Sequence, residues 1–192
     1  MIKELVKSSR SYRNFDSSYE MKLETLHELV DIARFCPSSV NRQPLKYYCI
    51  SAKEEVGKLM PLLGFAKALK DRKLPDKGKE PNGFIIICHD LTIASSNASI
   101  DKDVGIVAQS ILLGACEMGL GGCCIGSFVP DAVREKLELD KRYLPKLVIA
   151  LGKVAETVVL EDVGEDGDIS YYRDEDDVHH VPKRKLIDLL IR

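Results

Sequence analysis

Five consecutive residues, Phe84-Ile85-Ile86-Ile87-Cys88, form an unbroken apolar run bounded by Gly83 and Asp90. A strand with one wet face alternates apolar and polar residues, so a continuous β-branched run predicts a strand covered on both faces. Such a strand needs secondary structure packed above and below it. Helical patterns supply that cover. Leu23, Leu26, Val30 and Ala33 recur at helical spacing, and Pro37 closes the element. Residues 104–119, VGIVAQSILLGACEMG, are mostly apolar and rich in small side chains, which predicts a helix buried in the core or packed on another subunit. Residues 45–51 and 147–151 read as further strands. Val56, Leu59, Met60 and Leu63 suggest a short helix, and Pro130 opens another. The pattern is mixed α and β, and it leaves the strand directions open.

A chain of 192 residues with 45% hydrophobic content can bury one sizeable core, so residues 1–192 are expected to form a single domain. The formal net charge of -2 offers no basic field for nucleic acid or an anionic membrane, and neither partner is expected. No apolar run is long enough for a membrane span, and a cytoplasmic protein is expected. The six cysteines form no C-x-x-C pair. They are read as reduced thiols, with Cys36, Cys123 and Cys124 as small buried apolar residues rather than redox groups. Residues 67–82 carry charges, Pro and Gly and read as an exposed loop or frayed helix. After Gly152 the chain passes from acidic to basic within a few residues, which predicts a solvated surface segment. Asp162, Glu165, Asp166 and Asp168 lack a calcium-loop register, and His179 and His180 are adjacent, so no metal site is expected.

Three segments could hold a ligand. Ser9-Arg10-Ser11-Tyr12-Arg13 places two guanidinium groups and hydroxyls together, which suits phosphate oxygens and equally suits a solvated turn. Cys36-Pro37-Ser38-Ser39-Val40-Asn41-Arg42-Gln43-Pro44 offers hydroxyls and amides to the polar edge of a heterocycle, although a helix stop followed by turn residues looks similar. Gly119 to Phe128, GLGGCCIGSF, has four glycines that permit close approach of a flat ligand, without a dinucleotide fingerprint or a P-loop.

Taken in order, RSYRNF, PSSVNRQP after a helix, a long apolar helix running into GLGGCCIGSF, then PKLVIALGK and a basic VPKRKL resemble the FMN-dependent nitroreductase family over nearly the whole chain. The resemblance implies an α+β fold with a central mixed or antiparallel sheet flanked by helices. It also implies a homodimer whose C-terminal extension, residues 153–192, reaches the partner. It further implies an oxidoreductase that takes hydride from NADH or NADPH onto FMN and passes electrons to a small-molecule acceptor, a nitroaromatic, a quinone or a relative of these. A dedicated substrate on the same fold, or a non-catalytic FMN or phosphate-binding module, stays open. Arg10, Ser11 and Arg13 match the family's N-terminal motif, the first two at the phosphate and ribityl chain and Arg13 at the pyrimidine edge as an electrostatic stabiliser. Pro37, Ser38, Ser39, Asn41 and Gln43 match the loop that reaches the flavin from the partner. Ile125, Gly126 and Ser127 align with the turn whose backbone N–H groups face the ring. Lys183 and Lys185 match the family's C-terminal phosphate-binding cations. No catalytic side chain is implied, because hydride transfer is the cofactor's own chemistry. Ser9 stands where many relatives carry a cation, and Leu45 where an aromatic residue is common.

Overall fold

The computed structural model describes residues 1–66, 72–94 and 98–191, in two compact units, 1–154 and 155–192. In unit 1, strand β1 (Leu45–Ile50), β2 (Gly83–Asp90), β3 (Gly121–Ile125) and β4 (Tyr143–Gly152) form an antiparallel sheet in the order β1-β2-β4-β3. Every residue of β2 is buried, as the unbroken apolar run predicts. One sheet face packs on α2 (Leu23–Arg34) and α4 (Ala98–Glu117), around Leu26, Leu29, Ile85, Ile87, Val107 and Ile111. The opposite face gathers Phe84, Ile86, Val148 and Ala150 with Val56 and Leu59 of α3 (Lys53–Leu59) and Val133 of α5 (Pro130–Lys136). The first helix, α1 (Ile2–Ser8), has no buried residue. Each fully buried Ile or Leu on these faces contributes about 1.5–3 kcal/mol.

Ile87 of β2 pairs with Leu147 and Cys88 with Pro145, so β4 carries one extra residue, Lys146, at a β-bulge. Lys146 Nζ lies 2.7 Å from Asp101 Oδ1 on α4.

Three elements differ from the sequence reading. The glycine-rich stretch, to which the sequence assigned no element, forms β3, an edge strand. Helix α4 begins at Ala98, six residues earlier than the apolar pattern suggests. Of the segment read as exposed, residues 67–71 lie outside the described residues, while Leu74 and Pro81 are buried.

In unit 2 the acidic stretch 164–170 is exposed, as expected, and the chain on either side of it forms strands. Strands β5 (Val158–Asp162), β6 (Tyr172–Arg173) and β7 (His179–Lys183) form a sheet in the order β5-β7-β6, with β5 and β7 parallel. Its charges pair among themselves. Arg173 bonds Glu156 and Asp177, with the Arg173 and Glu156 side chains buried. His180 lies between Glu161 and Asp174 and stacks on Tyr172. The unit ends in the short helix α6 (Leu186–Leu189), whose Leu186, Ile187 and Leu189 are exposed in the single chain. No helix among the described residues is long and apolar enough to cross a membrane.

Candidate functional site

The N-terminal segment runs along the free edge of β3. Ser11 bridges Gly122 in parallel, and the Tyr12 N–H donates to Gly122 O at 3.0 Å. This approach requires glycine at 121, where a Cβ would lie 2.5 Å from the Tyr12 ring and 2.4 Å from Val154. Gly121 and Gly122 therefore serve packing within the protein, whereas the surroundings of Gly126 are open.

Arg10 donates from Nη2 to Val6 O at 2.5 Å, and its Nε is buried without an acceptor. Arg10 has no acidic partner among the described residues. A half-buried cation with an unsatisfied donor is a fit for an anion. Arg13 donates to Ser11 O at 3.1 Å. Four residues of strand beyond Gly122, about 13 Å at ordinary strand rise, the N–H groups of Gly126 and Ser127 meet no acceptor among the described residues. Ser127 O accepts from Gly64 N–H at 2.8 Å, which fastens this turn to the segment after α3. The edge thus carries a cation at one end and free backbone donors at the other. That arrangement fits a phosphate-bearing heterocycle such as FMN.

The loop from Pro37 to Pro44 lies at the other edge of the sheet and leads directly into β1. It contains a 3-10 turn, Ser39–Asn41, with Val40, Asn41 and Gln43 at φ of 46°, 54° and 50°. Non-glycine residues in this left-handed region cost about 1–2 kcal/mol each, so something must hold the loop in shape. That role falls to Asp103 of α4, which is buried. Its Oδ2 accepts the Ser38 hydroxyl proton at 2.7 Å, and its carboxylate accepts the Ser39 N–H at 3.1 and 3.2 Å. Ser38 Oγ in turn accepts the Gln43 N–H at 3.1 Å. Gln43 Nε2 donates to Asn41 O and Oδ1. Beside the loop lies a cavity of about 450 Å³, lined in part by Val30, Arg34, Cys36, Tyr47, Asp103 and Val107. Burial pushes the Tyr47 phenol up to about 12, aided by Cys36 and Asp103.

The structure thus gathers Arg10, Ser11 and Arg13 with the edge that leads to Ile125, Gly126 and Ser127. It gathers Pro37, Ser38, Ser39, Asn41 and Gln43 into a second cluster. Lys183 ends β7 and Lys185 precedes α6; both are exposed in unit 2. Cys123 is buried as expected, but Cys124 is exposed, because β3 is an edge strand. Among the described residues no group of three His, Cys, Asp or Glu is placed to hold a metal ion. Sequence reasoning missed Asp103. A signal existed: with Ile100, Val104 and Val107 it lies on one helical stripe, where a lone acid among apolar residues calls for a partner.

Residues 6–153 match the model of the Nitroreductase family. The oxygen-insensitive NADPH nitroreductase of Helicobacter pylori strain J99 is 30% identical over 186 residues, covering 80% of this chain and 88% of that protein. Among solved structures, a nitroreductase family protein from Clostridium difficile 630 is 26% identical with a TM-score of 0.64, covering 80% of this chain and 84% of its own. An FMN-dependent nitroreductase from Clostridium difficile R20291 shares the fold at 24% identity and a TM-score of 0.66, covering 81% and 88%. With its antiparallel sheet, flanking helices and matched length, this chain belongs to the nitroreductase family.

Proposed function

We propose that the protein is a homodimeric, FMN-dependent oxidoreductase that oxidises NADH or NADPH and reduces a small-molecule acceptor such as a nitroaromatic or quinone. The observation that carries this reading is the division of the ligand-binding groups. Arg10 and the free N–H groups of Gly126 and Ser127 lie along β3, while the Ser38–Gln43 loop lies beyond β1, with β2 and β4 between them. Two intervening strands separate the sheet edges by about 14 Å at ordinary strand spacing. One flavin ring would then meet both sets most simply where the loop comes from a second copy of the chain. The exposed apolar residues Leu186, Ile187, Leu189 and Leu190 supply further surface for that copy, and an interface above about 2,000 Å² is expected of an obligate dimer.

When bound, FMN supplies hydride acceptance at N5 and onward electron transfer. The chain supplies orientation and charge. Arg10 and Ser11 hold the phosphate end, with Lys183 and Lys185 as further cations. The backbone donors of Gly126 and Ser127 hold the ring without loss of side-chain entropy. Arg13 would supply a fixed positive charge toward the pyrimidine edge of a bound flavin, favouring its reduced, negatively charged form. A ring held from one side would leave its other face to reductant and acceptor in turn, and ping-pong kinetics would follow.

Purification tests the reading directly. A yellow protein with bands near ~375 and ~450 nm, bleached anaerobically by NADH or NADPH, is the expected result. A colourless protein that takes up no FMN excludes it. Parallel double-reciprocal plots test the kinetic scheme, and sedimentation of a stable FMN-loaded monomer excludes the dimer.

A further inference from the structure

We infer that Asp103 is a positioning residue for the flavin-facing loop, acting through the Ser38 hydroxyl and the Ser39 N–H to fix which polar groups the loop presents outward. The inference rests on the proposed flavin reading for its ligand, and on this chain's own bonds for its mechanism. A serine hydroxyl has one proton. Because Ser38 donates it to Asp103 Oδ2 at 2.7 Å, Ser38 Oγ is left as an acceptor, and the Gln43 N–H occupies it at 3.1 Å. The same carboxylate takes the Ser39 N–H. Asp103 thereby ties down both ends of the stretch that contains Val40 and Asn41, two of the three left-handed residues, and fixes Gln43, the third. What remains at the surface is a defined polar set: the Ser39 hydroxyl, the Asn41 amide nitrogen and the Gln43 amide oxygen. Gln43 Nε2 is committed to Asn41, so the two side chains are mutually oriented.

The isosteric Asp103→Asn change separates this role from simple packing. An asparagine keeps the size of the side chain but offers one acceptor oxygen, and its NH₂ turned to Ser38 reverses the direction of the hydrogen bond. The loop then loses its enforced arrangement. Titration of apo-protein with FMN and with riboflavin is expected to show both weakened by the same factor, roughly tenfold, since the loop serves the ring rather than the phosphate. Ser38→Ala combined with Asp103→Asn is expected to cost less than the sum of the two single changes, because the Ser38–Asp103 hydrogen bond is common to both. Unchanged flavin affinity in Asp103→Asn, or full additivity of the two changes, overturns the inference. A second readout needs no flavin: amide hydrogen exchange in the apo-protein is expected to show Ser39 and Gln43 protected, with exchange at least about tenfold faster in Asp103→Asn. Should the wild-type protein bind no flavin, the proposed function fails. The clamp is then still decided by exchange, and protection that persists in the variant overturns it.

Discussion

Asn14 and Asp76 exchange two hydrogen bonds across 62 residues of chain: Asn14 Nδ2 donates to Asp76 Oδ2 at 2.8 Å, and Asp76 N–H donates to Asn14 Oδ1 at 2.9 Å. Asn14 is fully buried, and this pair fastens the segment that carries Arg10 and Arg13 to the stretch before β2. Asn14→Ala is expected to cost about 2–3 kcal/mol, since it strands donors and acceptors away from water. Urea denaturation measures it. Asn14→Asp should be worse at neutral pH, because it sets two carboxylates against each other, and should recover as acid protonates one of them. In the native protein the Arg72 hydrogen bond, ahead of Asn14 and Lys79, holds the Asp76 carboxyl below its ordinary value. Its contribution is present above pH 3.8 and is lost as pH falls through the lowered value.

Unit 2 should respond to pH in the opposite sense. His180 is raised above 6.5 by its hydrogen bonds to Asp174 and then Glu161. A raised pKa means stabilisation that is complete below the unfolded value of 6.5 and lost as pH rises through the folded one. The melting temperature of the wild-type protein is expected to fall across that window, and the His180→Gln variant should lack this component. Identical pH profiles for the two proteins would show that the clamp contributes nothing.

Replacing Gly121 by Ala puts a Cβ into the Tyr12 ring and Val154. The N-terminal segment must then move off β3, taking Arg10 with it. FMN affinity is expected to drop by tenfold or more, equivalent to about 1.4 kcal/mol, while the sheet itself persists in far-UV circular dichroism.

The cysteines are expected to be bystanders. Burial pushes the Cys49 thiol up to about 11 and Cys88 up to about 12, so iodoacetamide near neutral pH should leave both unmodified by mass spectrometry. Cys123→Ala and Cys124→Ala should each retain NAD(P)H oxidation within a few fold. Loss of turnover with FMN still bound would reveal a redox role.

Ser9 stands where the family resemblance implies a cation, so Lys183 and Lys185 are expected to carry more of the phosphate charge. Either Lys→Ala change should weaken FMN roughly 10- to 150-fold, the equivalent of a charge-assisted bond. Riboflavin, which lacks the phosphate, should bind almost as before. Equal losses for both ligands would assign the lysines to folding or assembly.

How far the sequence spoke depended on the range of the interactions. The strand at Ile85–Ile87 was legible because a run covered on both faces leaves a local mark. The glycines near 121 suggested room for a flat ligand because a glycine required by an approaching Tyr12 ring looks no different in sequence from one required by a ligand. Asp103 leaves no comparable mark, because the dense apolar pattern of the helix starts at Val104, one residue after it. The tail looked merely solvated because its pairings, Arg173 with Glu156 and His180 with Glu161, span 17 and 19 residues and obey no periodicity. The ligand loop was recognisable from its residue types, but its left-handed backbone and its acidic anchor were not.

The extra residue in β4 rephases the strand. Downstream of the bulge, Leu147, Ile149 and Leu151 face α2 and α4, and unbroken alternation would carry Tyr143 to that same side. Instead Tyr143 packs with the opposite cluster, beside Leu137 and Leu139. Deleting Lys146 would therefore close the bulge rather than scramble the strand: Pro145 would follow Leu147 in ordinary alternation, and Tyr143, Leu144 and Pro145 would keep the layers they already occupy. In variants or homologues of altered length, a deletion here is expected to be tolerated with the apolar order of residues 143–145 unchanged, at the cost of the Lys146–Asp101 pair, whereas replacing Lys146 by two residues would put Tyr143 on the wrong layer.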